Sequence, residues 1–196
     1  ARRPRAELPF YRVYFPPRLP NWLPASKDGR TLSLSHAAIS KMKLILMRHT
    51  EANYGFNLED HERNLSDKGQ CDAHKLGRWL TAQRHQPTRA LISDAKRTQQ
   101  TFTGLNFKCE AMILPDLYLA PPENLTLATA SIDTECLLIL AHNPGIAELA
   151  IKISTPEPTH PQFLDYPPGA TLVLSYSNYG SSALVVDFVT PDDLPE

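Results

Sequence analysis

Residues 136–141, Cys-Leu-Leu-Ile-Leu-Ala, are apolar without interruption. Six such residues fall far short of the ~20 that cross a bilayer, and their length suits a strand buried on both faces. A strand of that kind needs cover above and below, which is the situation inside a parallel sheet flanked by helices. Short apolar runs at 44–47, 89–92 and 111–114 alternate with helical patterns at 66–84, 94–107 and 122–130, and a helix opened by Pro144 carries Ile146, Leu149, Ala150 and Ile153 at i, i+3, i+4 and i+7. Ser66 is placed as a helix cap, with Leu65 as the apolar residue before it. Residues 171–176 and 183–188 alternate around Ser177-Asn178-Tyr179-Gly180 and read as a hairpin. The expected fold is α/β: a three-layer αβα sandwich with a central, mostly parallel sheet made mixed by the hairpin.

Residues 1–41 do not fit this pattern. Six prolines (Pro4, Pro9, Pro16, Pro17, Pro20, Pro24) interrupt every apolar run there, removing backbone donors and stopping helices. Eight Lys/Arg against Glu7 and Asp28 give this segment +6, which leaves −7 for the remainder of a chain whose total is −1. It is read as a disordered or loosely packed extension, and 42–196 as one catalytic domain. An Arg-rich, acid-poor start is also the composition of organelle transit peptides, so organelle targeting stays open beside a cytoplasmic location. The near-neutral total gives no electrostatic reason to expect nucleic acid or an anionic membrane as a partner. Cys71, Cys109 and Cys136 are odd in number and scattered, against both a disulfide framework and a zinc site. Neither a membrane-spanning run nor a secretory apolar region is expected.

In open α/β sheets ligands bind beyond the carboxyl ends of the strands. Three strand ends there carry chemistry: Arg48-His49 after the first, Ser93 and then Arg97 after the second, His142-Asn143-Pro144-Gly145 after the 136–141 strand. Arginine offers planar donors matched to phosphoryl oxygens, and two arginines neutralise a dianion and the charge that spreads during transfer. A neutral imidazole attacks phosphorus and forms a covalent phosphoimidazole; a second one, if protonated, donates to a phosphoryl oxygen. The arginines beside His49 disfavour its protonation. The chemistry calls for no metal and no cofactor. Each element alone has a bland alternative: a surface Arg-His pair, a structural histidine, the solvated face of a helix. Their recurrence at one edge of one sheet favours the chemical reading.

The same residues resemble those of a known family. Leu46-Met47-Arg48-His49 looks like the signature of the histidine phosphatase superfamily, to which the phosphoglycerate mutases belong, and the further motifs are most similar to the small SixA-type phosphohistidine phosphatases. These are Arg63-Asn64-Leu65-Ser66-Asp67-Lys68-Gly69, Ser93 to Thr101, Leu117-Tyr118-Leu119-Ala120, Ala141-His142-Asn143-Pro144-Gly145 with Glu148-Leu149-Ala150, and Tyr166-Pro167-Pro168-Gly169-Ala170. The resemblance runs from about Met42 to Phe188. It implies His49 as the phosphohistidine nucleophile and Arg48, Arg97 and His142 as the phosphate pocket. Thr50 departs from the small residue usual after the histidine, and a β-branched residue takes a positive φ poorly. Gly55 stands where mutase-like members carry an asparagine. Asp116 is the candidate for their general acid, or else a plain loop carboxylate.

A phosphate ester needs a proton on its leaving oxygen, whereas phosphohistidine protonated on its distal nitrogen leaves as neutral imidazole. A short chain with little sequence for a lid suits a substrate presented by a protein. The expectation is therefore a metal-independent phosphatase acting on phosphohistidine or phosphoprotein substrates. The alternatives are a phosphatase for a small phosphate ester and a non-catalytic phosphate- or partner-binding module. The positioned nucleophile argues against the last.

Overall fold

In the computed structural model, residues 42–54, 59–130, 132–176 and 183–195 are described. The expectations for residues 1–41, for Gly55 and for the 177–180 turn fall outside them. Six strands form one mixed sheet: β1 (Met42–Arg48), β2 (Arg89–Ser93), β3 (Glu110–Leu114), β4 (Cys136–Ala141), β5 (Thr171–Tyr176) and β6 (Leu184–Val189), in the order β3-β2-β4-β1-β5-β6. β1, β2, β3 and β4 are mutually parallel where they pair, while β5 and β6 run antiparallel at one side. All six residues of β4 are buried, as a strand between β1 and β2 with helices on both faces must be.

The pleat sorts β1 and β4 into two cores. Leu44, Leu46, Leu137 and Ile139 face α3 (Pro122–Ala130) and α4 (Gly145–Ile153), where Leu125, Ile146 and Leu149 close the layer. Ile45, Met47, Leu138 and Leu140 face the opposite way, against Leu76 and Leu80 of α1 (Asp67–Ala82) and Leu105 of α2 (Lys96–Leu105). The result is the expected three-layer αβα sandwich. At ~25 cal/mol per Å² of apolar surface removed from water, these two layers supply the main stabilising force of the domain.

Local chemistry sets the helix limits. Ser66 caps α1, its hydroxyl accepting from the Gly69 N–H at 3.0 Å. The sequence extends α1 to Arg84, but the helix ends at Ala82, and Arg84 turns the chain with φ 57°. It also spreads α2 over 94–107; the observed helix begins at Lys96 and stops at Asn106, a left-handed cap residue with φ 58°. α1 and α2 pack closely: a Cβ on Gly77 would lie 2.3 Å from the Leu105 carbonyl oxygen. β3 is an edge strand, so Met112 and Ile113 stay exposed although their run is apolar.

The β1–β4 register places Arg48 beside Ala141, and the parallel β2 ends nearby at Ser93. The three chain segments that follow these strands therefore leave the sheet at one edge.

Candidate active site

His49 follows β1 directly and is buried. Its Nδ1 lies 2.7 Å from the Thr50 carbonyl oxygen, and its Nε2 faces Arg97 Nε at 3.1 Å. A guanidinium N–H can only donate, so Nε2 is the acceptor and Nδ1 carries the proton. The lone pair thus sits on Nε2, where it accepts from Arg97, a neighbour in the pocket wall. Burial, reinforced by the charges of Arg97 and Arg48, pushes the His49 pKa down to about 3. The sequence attributes the neutral imidazole to the neighbouring arginines; the larger cause is burial.

Arg97 is not on a solvated helix face. It is 2% exposed and lies at the start of α2, directed across the pocket. Its Nη2 donates to His142 Nδ1 at 3.2 Å. His142 is therefore an acceptor at Nδ1 and donates from Nε2 to Ser93 Oγ at 2.8 Å. Burial, then the nearby His49 and Arg97, brings the His142 pKa down to about 3 as well. The condition set for the second imidazole, that it donates to a phosphoryl oxygen if protonated, is not met in this state of the site: both rings are neutral, their centroids 5.2 Å apart.

Arg48 points its Nη1 at the Tyr166 carbonyl oxygen, 2.9 Å away. Tyr166 holds that carbonyl in place from a φ of 43°, with its ring fully buried and its hydroxyl donating to the Leu46 carbonyl at 2.9 Å. A positive φ at a tyrosine costs ~1–3 kcal/mol and persists only where the surroundings enforce it. Asn143 Nδ2 donates to the same carbonyl at 3.1 Å. Arg48 Nε is buried and meets no acceptor among the described residues.

Thr50 answers the question its β-branch raised. It is buried without a positive φ, and its N–H donates to Thr101 Oγ1 at 3.2 Å, with the two hydroxyls also 3.2 Å apart. The residue ties the backbone next to His49 to α2.

Five side chains that sequence reasoning did not assign to the site also reach it: Asp60, Tyr118, Tyr54, Glu51 and Arg63. Asp60, in a 3-10 turn at Asp60–Glu62, accepts from Arg97 Nη2 at 2.9 Å, from Arg63 Nη1 at 2.9 Å and from the Tyr118 hydroxyl at 2.7 Å. These bonds, Tyr118's first, hold its carboxyl well below the usual carboxylate range. Tyr54, Glu51 and Arg63 line the same pocket of about 630 Å³ with Arg48, His49, Asp60, Arg97 and His142. Tyr118 and Arg63 lay inside motifs already noted, but the irregular 50–65 stretch has no periodicity to mark Asp60. Asp116 is not brought in: it is exposed in the Pro115–Leu117 turn and is not part of the pocket wall. Among the described residues no group of three His, Cys, Asp or Glu could hold a metal ion, and no helix is long and apolar enough to cross a membrane.

A mixed α/β sheet that gathers two neutral imidazoles and two arginines at its carboxyl edge is the equipment of a phosphoryl-handling protein. Residues 44–118 match the model of the histidine phosphatase superfamily, branch 1. An uncharacterized protein of Mycobacterium tuberculosis is 30% identical over 113 residues, covering 56% of this chain and 70% of that protein. The chain belongs to the histidine phosphatase superfamily. An uncharacterized chloroplastic protein of Arabidopsis thaliana is 26% identical over 128 residues, or 57% of this chain; the match spans 59% of the plant protein's length. A solved structure from Nakamurella multipartitia, assigned as a SixA phosphohistidine phosphatase, superposes with a TM-score of 0.67 over 77% of this chain and 96% of its own, at 23% identity. At that identity the likeness is one of fold.

Proposed function

We propose that this protein is a phosphatase that works through a covalent phosphohistidine at His49 and acts on phosphohistidine or phosphoprotein substrates. The observation that carries this reading is the His49 Nε2 lone pair, fixed by the Thr50 carbonyl behind it and set against Arg97 and His142. In the first step the hydrogen bond from Arg97 Nε–H passes from His49 Nε2 to a phosphoryl oxygen, and the freed Nε2 lone pair attacks phosphorus in line. The new N–P bond forms as the bond to the leaving group breaks, and the departing nitrogen takes its electron pair. With its distal nitrogen already protonated, that group leaves as neutral imidazole. Water then attacks phosphorus, the His49–phosphorus bond breaks, and inorganic phosphate departs. Arg97, Arg48 and Arg63 face the charge on the equatorial oxygens, which removes the need for a cation there. A bound dianion favours the protonated form of His142, which would then donate to a phosphoryl oxygen from Nδ1.

The positions of Asp116 and Asp60 support this substrate class. Asp116 lies outside the pocket wall, and Asp60 is held ionised by Tyr118, Arg63 and Arg97, so neither is placed to protonate an alkoxide. One observation favours the small-ester alternative: Glu51 lines the pocket, its Oε1 accepting from Ser66 at 2.6 Å. Comparison of a phosphohistidine-bearing protein with a panel of sugar phosphates, for wild type and Glu51→Gln, separates the two. The proposal expects faster turnover of the phosphohistidine and a modest effect of the substitution. Preference for a sugar phosphate, with loss of ~10²–10⁴ in rate on Glu51→Gln, would establish the ester reading instead.

A further inference from the structure

Arg97 presents two edges, and they are occupied differently. From the end of the guanidinium, Nη1 donates to the Asp60 backbone carbonyl at 2.5 Å and Nη2 to Asp60 Oδ2 at 2.9 Å. From its side, Nε reaches His49 Nε2 and the second Nη2 donor reaches His142 Nδ1, at 3.1 and 3.2 Å. One residue thus takes the whole distal edge, through main chain and side chain together, while the proximal edge faces the two imidazoles between which a phosphoryl group would lie.

Asp60 is itself fixed from three sides. Tyr118 donates to Oδ2, Arg63 to Oδ1, and the adjoining His61 pairs through Nε2 with Asp94 Oδ1 at 2.9 Å, at the approach to α2. The Tyr118 ring packs edge-on against both His61 and His142, at 4.7 and 5.4 Å between centroids, and Arg97 Cζ lies 5.8 Å from the same ring. A planar fork has two useful orientations about its long axis, and one anchored edge selects between them.

We infer that Asp60 is a positioning residue for phosphoryl transfer: with Tyr118 behind it, it clamps the distal edge of Arg97 so that Nε and Nη2 are presented to the phosphoryl oxygens. This rests on the phosphatase reading above. The clamp also has an electrostatic cost, since a carboxylate stands close to where a dianion binds. Geometry and charge therefore predict opposite signs for its removal. If orientation dominates, losing the carboxylate weakens anion binding; if repulsion dominates, losing it tightens binding.

The test is calorimetric titration of the full chain with inorganic phosphate, beside turnover of a phosphohistidine protein, for wild type, Asp60→Asn, Arg97→Ala and the double variant. The clamp predicts about tenfold weaker phosphate binding for Asp60→Asn, the scale of one charge-assisted contact, with kcat falling as well as KM rising. In the Arg97→Ala background the same substitution should change binding by less than about twofold, because the two residues act as one unit. Tyr118→Phe should give a smaller loss with the same dependence on Arg97, and serves if Asp60→Asn does not fold. Phosphate binding that is unchanged or tighter in Asp60→Asn, or a loss that adds in full to that of Arg97→Ala, overturns the clamp while leaving the phosphatase reading standing. Failure of wild type to bind phosphate and turn over substrate overturns both.

Discussion

Two buried histidines kept neutral make the domain's stability depend on pH in a defined window. His49 and His142 have pKa values near 3 in the folded chain, against 6.5 for an exposed imidazole. Between those limits the unfolded chain binds both protons and the folded chain binds neither, so stability is full above pH 6.5 and is lost as pH falls toward 3. Each proton is worth ~1.4 kcal/mol per pH unit. Two protons over the 1.5 units from pH 6.5 to 5 therefore remove about 4 kcal/mol, a large part of the ~5–15 kcal/mol typical of a domain. His61 acts in the opposite sense: its hydrogen bond to Asp94 raises its pKa, so its contribution is present at low pH and fades as pH rises. Comparison with His49→Asn/His142→Asn cancels His61, because both proteins contain it. Urea unfolding at pH 7 and pH 5 should show wild type losing about 4 kcal/mol more than the double variant. Equal losses in the two proteins would refute the assignment of both rings as neutral and buried.

Three further outcomes follow from particular residues. A Cβ on Gly145 would stand 1.8 Å from the Ala120 carbonyl oxygen, so Gly145→Ala should cost about 3 kcal/mol and lower Tm by roughly 6–12 °C in a thermal melt. Asp116→Asn should change turnover of a phosphohistidine protein less than about twofold, since the residue is exposed and outside the pocket wall, whereas a general acid would show as ~10²–10⁴. A chain starting at Met42 should fold and retain turnover within about twofold, because both strand partners of β1 among the described residues and every side chain assigned to the site belong to the later segment; circular dichroism and the same assay check it.

The alternation of apolar runs with helical patterns was enough to place the layers, and β4 has the limits of its apolar run, because a strand buried on both faces leaves a continuous signal. Helix ends were less legible. Arg84 and Asn106 end α1 and α2 through positive φ values; an arginine does not announce that in a sequence, and an asparagine does so less strongly than a glycine. Arg48, His49, Arg97 and His142 could be brought together from the sequence because they fall at or after the ends of three parallel strands, the first two sharing β1, and the parallel register brings those ends to one edge. Protonation was not, because it depends on burial: the same sequence with an exposed His142 would have had a titrating ring. Asp60 was hidden for a different reason. Its importance lies in reaching Arg97 across 37 positions of sequence, and nothing in the irregular stretch around it has a period to betray that contact. Thr50 read as a steric departure became a tie to Thr101, since the obstacle assumed a positive φ that the chain does not adopt.

The central claim is a phosphoryl group on His49, and rapid quench tests it most directly. Wild type mixed with labelled phosphohistidine protein, stopped within a turnover and mapped by mass spectrometry, should carry label on His49. The adduct should be acid-labile and base-stable, as a phosphoramidate is and a phosphoserine ester is not. His49→Ala should carry none and turn over nothing, while still binding inorganic phosphate through Arg48, Arg97 and His142. Wild-type turnover by His49→Ala, or label recovered on any other residue, would contradict the account.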